Sequence, residues 1–67
     1  MDTTQAIAVE ATSTLSFDDA IEQAFTLARL RRMNPEDAWV EEQRVVIEQG
    51  RIAAFHVNLR VPVTEPH

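Results

Sequence analysis

Residues 52 to 63 read IAAFHVNLRVPV and alternate along their whole length. Ala53, Phe55, Val57, Leu59, Val61 and Val63 fall on one side. Ala54, His56, Asn58, Arg60 and Pro62 fall on the other. Successive side chains of a strand point to opposite faces, so this period makes one face core and leaves the other polar and accessible. A chain with such a strand must build a sheet covered on one side only. Pro62 has no N–H to give, so the strand is free on its N–H side there or ends there.

The cover is a single helix, expected over residues 17 to 32. Ser16 is its N-cap, since a serine hydroxyl accepts a backbone N–H of the first turn. Asp19, three residues on, resembles the partner of a capping box, where Glu or Gln is usual. Asp18, Asp19 and Glu22 set negative charge at the positive end of the helix dipole, and Arg29, Arg31 and Arg32 set positive charge at the other. Phe17, Ala20, Ile21, Ala24, Leu27 and Ala28 form the apolar stripe, with alanines that allow close approach to a sheet. Phe25, Leu30 and Met33 fall at its edge or outside it. Two readings stay open for them: cover by another subunit, or scattered surface apolars. Asn34-Pro35 ends the helix, because a residue before proline avoids the helical region. Pro35-Glu36-Asp37 is placed to start a short turn capped by Asn34.

The remaining segments complete a sheet. Residues 38 to 48, AWVEEQRVVIE, form a strand rich in Val, Ile and Trp. Its alternation is imperfect. Trp39, Val45 and Ile47 share a face with Glu41 and Gln43, while Val40 and Val46 share one with Glu42 and Arg44. Gln49-Gly50 is the turn, with the single glycine of the chain where positive φ is needed. Residues 5 to 11 suit a first strand with Ile7 and Val9 inward, and 12 to 16 a polar turn. Residues 1 to 4 and 64 to 67 are expected to fray, leaving one domain over 1 to 67. The fold class is α+β: a β-α-β-β unit with a three-stranded antiparallel sheet packed on one helix.

Sixty-seven residues are few for a stable core. There is no cysteine, so neither disulfides nor thiolate metal sites are available. Assembly with further copies is the remaining remedy. The net charge of −5 argues against nucleic acid and anionic membranes as partners. No apolar run approaches the roughly 20 residues of a membrane span. MDTTQAIAVE lacks the basic and apolar regions of a secretory signal, so a cytoplasmic location is expected.

Catalytic motifs are absent, and the expectation is that the chain is not an enzyme. It has no P-loop, no dinucleotide glycine pattern and no cysteine nucleophile. His56 is the one candidate general base, without an evident nucleophile beside it; a strand histidine is more simply a satisfied polar residue. Glu41, Glu42 and Glu48 lack the spacing of a calcium loop, so no metal is expected. Trp39 is more suggestive. Indole offers a broad apolar surface and one N–H donor, so it can stack on a planar ligand while Glu, Arg and His meet polar edges. It can equally pack under the helix or in a subunit contact.

The sequence resembles the dodecins, small flavin-binding proteins. The resemblance rests on ATSTLSFDDAI (11 to 21), the alanines at 20, 24 and 28, WVEEQRVVIEQGRI (39 to 52) and FHVNLRV (55 to 61). From Ser16 to Val61 it needs no gap. It is closest to the branch with a GAWVKEQ-like segment. It implies a hollow homododecamer that stores or buffers flavin, FMN or riboflavin, rather than turning it over. Flavins would bind in pairs near two-fold axes, each ring stacked on a tryptophan. By this resemblance Trp39 stacks on the ring, His56 bonds its polar edge, and Glu42 and Arg44 line the pocket. The departures are specific. The stacking tryptophan of the best-known members aligns with Asp37; moving it to Trp39 along a strand keeps the face and shifts it ~7 Å. The edge-binding glutamine is His56. A family glycine is Ala11, and a usual aromatic is Val63, after an unusual Pro62. A cage of this fold whose flavin site has lapsed is the alternative, with Trp39 buried at an interface.

Overall fold

The computed structural model describes residues 4 to 64, with side chains from 5 to 62. The elements are β1 (Thr4–Ser13), α1 (Phe17–Leu30), a 3-10 turn at Pro35–Asp37, β2 (Trp39–Glu48) and β3 (Arg51–Thr64). The sheet is antiparallel with order β1-β3-β2, so the alternating strand lies in the centre. The expected β-α-β-β unit of class α+β is therefore present. Of the ends expected to fray, 1 to 3 and 65 to 67 lie outside the described residues, while Thr4 and Thr64 pair with each other.

The helix packs on β1 and β3. Its buried side chains are Ala20, Ala24 and Ala28, set against Val9, Ala11, Val57, Leu59 and Val61. Phe17 and Ile21 flank this core, and the Phe17 ring meets Phe55 edge-to-face with centroids 5.1 Å apart. Leu27, expected on the buried stripe, is exposed at the border of the helix. Phe25 and Met33, expected at its edge or outside, pack against the core instead.

Met33 is carried there by the way α1 stops. The helix ends at Leu30, before the expected residue 32. Arg32 takes a left-handed φ of 62°. Its N–H donates to the Arg29 carbonyl at 2.9 Å, and the Met33 N–H reaches back to the Ala28 carbonyl at 2.9 Å. This is a Schellman termination, in which the residue after the left-handed one folds back as an apolar contact. Arginine in the place usually held by glycine hid it from sequence reasoning.

The start of α1 is also more elaborate than a polar turn over 12 to 16. Thr12 and Ser13 continue β1, and Ser13 is buried. Ser16 caps the helix as expected, accepting the Asp19 N–H at 3.0 Å. Asp19 does not return to the Ser16 backbone as a capping box requires. Its carboxylate accepts from the Ser13 hydroxyl at 2.6 Å and from the Gln23 amide at 2.9 Å. The Ser13 oxygen in turn accepts the N–H groups of Leu15 and Ser16.

Candidate functional site

The uncovered face of the sheet carries the site. On β3 it presents His56, Asn58 and Arg60, opposite the helix-facing Val57, Leu59 and Val61. Register places Glu10 opposite Asn58 and Thr12 opposite His56 on β1. On β2, Arg44 lies opposite His56, Glu42 opposite Asn58, and Trp39 opposite Arg60. Directly paired residues share a face. Trp39, Glu42, Arg44 and His56 therefore stand on one face.

Strict alternation forbids that arrangement, since it puts Trp39 opposite in sense to Glu42 and Arg44. The difference is a β-bulge. The β2–β3 register shifts between Val40 and Glu42, leaving Glu41 as the extra residue. A bulge sets two residues of one strand against one of the next and reverses the facing of everything beyond it. Val40 thus points to the core, where it is half-buried, and Trp39 turns to the polar face with 48% of its surface exposed. A second shift lies between Val46 and Ile47. The mixed faces of β2 in the sequence come from reading a bulged strand as a regular one.

Glu41 is held by Arg60, the cross-strand partner of Trp39. The guanidinium donates through Nε at 2.9 Å and Nη2 at 3.1 Å to the two carboxylate oxygens, a bidentate pair. It ties the bulge to the centre of the sheet. Asp37, by contrast, is not on a strand at all. It belongs to the 3-10 turn Pro35–Asp37, capped by the Asn34 side chain accepting the Glu36 N–H at 3.0 Å. The expected 7 Å displacement along one strand therefore does not describe how positions 37 and 39 are related.

His56 is gripped from β1. Its Nδ1 lies 2.9 Å from the Thr12 hydroxyl and its Nε2 lies 2.9 Å from Glu10 Oε1. A neutral ring with hydrogen on Nε2 donates to Glu10 and accepts from Thr12. Both nitrogens are occupied within the protomer. The hydroxyl beside the histidine, which sequence order concealed, serves here as its second partner. Arg44 makes a loose contact with Glu42 at 3.9 Å, both largely exposed.

Sequence reasoning missed Glu10, Thr12 and Glu41 as neighbours of the site, and it gave Asn58 and Arg60 no part in it. Asn58 and Arg60 were visible as polar positions on β3. Glu10 and Thr12 needed the β1 register, and Glu41 needed the bulge. A separate open cleft of about 450 Å³, lined by Phe25, Arg29, Asn34, Pro35 and Glu36, lies at the end of the helix. Among the described residues no group of acidic and histidine side chains is arranged to hold a metal, and no helix is long and apolar enough to cross a membrane.

The comparisons agree with this fold. The family model described as Dodecin matches residues 3–64. The chain belongs to the dodecin family. Dodecin from Streptomyces coelicolor superposes with a TM-score of 0.77 at 26% identity, covering 98% of this chain and 94% of that one. Dodecin from Streptomyces davaonensis gives a TM-score of 0.77 at 22% identity, with 98% and 97% covered, a likeness of fold. No curated protein matches the sequence. A dodecin with its tryptophan at the head of β2, set on the polar face by a bulge, is the arrangement to be explained.

Proposed function

We propose that the protein is a flavin-binding storage or buffering protein that works as a homododecamer in the cytoplasm, of the dodecin branch with a GAWVKEQ-like segment. The observation that carries the reading is the bulge at Glu41. It delivers a half-exposed indole to the same face as Glu42, Arg44 and His56, which otherwise form an unremarkable polar sheet surface. An exposed aromatic plane ringed by polar groups is how a planar heteroaromatic ligand is held. In this reading Trp39 stacks on the isoalloxazine ring. Arg44 and Glu42, exposed and loosely paired, adapt to the polar substituents of riboflavin or FMN. His56, fixed by Glu10 and Thr12, forms a rigid part of the floor.

Titration with riboflavin and FMN, followed by flavin and tryptophan fluorescence, tests this. Both signals should be quenched together as the complex forms. Unchanged fluorescence at tens of micromolar protein, with the assembly intact, would sink the flavin reading.

The second reading is a cage of the same fold without flavin. It is favoured by the occupied ring nitrogens of His56, the residue aligned with the family's edge-binding glutamine. Trp39→Ala separates the two. Lost flavin binding in an intact assembly supports the first; lost assembly without any ligand effect supports the second.

A further inference from the structure

On the polar face nearly every buried side-chain group has a partner, and the exception is Asn58. Its carboxamide oxygen is closed off from water and meets no hydrogen-bond donor among the described residues. Such an atom forfeits its hydration without recompense, so it marks a place where a donor is missing. The position is central. Asn58 lies on the middle strand between His56 and Arg60, flanked by Glu10 on β1 and Glu42 on β2. Its neighbours bond elsewhere. The Arg60 guanidinium is turned to Glu41, both His56 nitrogens meet Glu10 and Thr12, and the two flanking carboxylates are acceptors themselves.

Resting on the flavin reading, we propose that Asn58, rather than His56, recognises the polar edge of the bound ring, its carboxamide oxygen accepting the imide N–H. The chemistry required of the ligand is an N–H donor at the rim of a planar ring whose plane Trp39 covers. The imide of an isoalloxazine carries that donor between two carbonyls. His56 has no free nitrogen to offer it. Glu42 controls the approach: half its side chain is exposed and, among the described residues, its ion-pair contact is the 3.9 Å one to Arg44, so it can swing aside as the ring enters.

The test compares riboflavin with N3-methylriboflavin, which lacks the donor, on wild type, Asn58→Ala and His56→Ala. Wild type should bind the methylated ligand roughly fivefold to tenfold more weakly, the worth of one hydrogen bond. Asn58→Ala should bind both alike, and His56→Ala should keep the discrimination. The comparison on wild type needs no variant to fold, and the Asn58→Ala comparison separates the lost bond from the bulk of the methyl group. Equal binding of the two ligands by wild type overturns the proposal while leaving flavin binding intact. Discrimination that survives Asn58→Ala and vanishes in His56→Ala overturns it in favour of the histidine. If wild type binds neither ligand, the flavin reading fails and this inference falls with it.

Discussion

The hydroxyl of Ser13 serves three groups at once. It donates to Asp19 and accepts the N–H groups of Leu15 and Ser16, at the joint where β1 gives way to α1. Those two N–H groups belong to the turn and cap, where no carbonyl of a preceding turn can take them. Ser13→Ala leaves them without that acceptor and should destabilise the fold by about 1–2 kcal/mol at neutral pH. Part of the effect must depend on pH. The hydrogen bond from Ser13, followed by that from Gln23, holds the Asp19 carboxyl below its ordinary 3.8. A lowered folded value means that the carboxylate's contribution is present above pH 3.8 and is lost as the pH falls through the folded value. The gap between wild type and Ser13→Ala in urea unfolding should therefore narrow below pH 3.8, and carbon NMR of Asp19 should show its titration rising toward the ordinary value in the variant. A gap of constant width from neutral to strongly acid pH would show that the carboxylate plays no part.

The elements divide by how local their determinants are. α1 and β3 were readable because each carries one uninterrupted period, and Ser16 capped the helix as its position implied. β2 was readable as a strand but not as a surface, because the bulge at Glu41 depends on the strand it pairs with. The grip on His56 was invisible for a similar reason: Glu10 and Thr12 are 46 and 44 residues away in sequence. The β2–β3 turn lies at the other extreme. Gln49 and Gly50 take φ of 53° and 75°, the doubly positive pattern of a type I′ hairpin turn. A Cβ at Gly50 would meet nothing within 4 Å, so Gly50→Ala isolates the backbone cost and should destabilise by about 1 kcal/mol. Gln49→Asn should do the reverse by a few tenths of a kcal/mol, since asparagine tolerates the left-handed region better. Equilibrium denaturation with an unchanged slope is the measurement; opposite signs for the two variants are the expected result.

For the whole molecule the question is whether one chain suffices. Its radius of gyration is 13.7 Å, and its extents are 51 × 21 × 13 Å. A compact chain of this size would have a radius near 11 Å. The excess comes from a hairpin drawn out beyond the helix. β2 exposes every residue except Val40, including Val45, Val46 and Ile47, and the pair Ile47–Ile52 stands about 60% exposed. Such a strand keeps one edge unpaired and its apolar side chains wet, which monomers avoid. Further copies of the chain are the economical cover, and a homododecamer is the state that the proposed function requires. Ile52→Glu places a charge in that exposed apolar pair without entering the core of Val57, Leu59 and Val61. In size-exclusion chromatography with light scattering, wild type should elute as the large assembly and Ile52→Glu as smaller species. Because folding is then coupled to association, the wild-type melting temperature should rise with protein concentration, and that dependence should weaken in the variant. A wild-type chain that runs as a folded monomer at micromolar concentration, melting at one temperature whatever the dilution, would contradict both the assembly and the account of β2 given by its exposure.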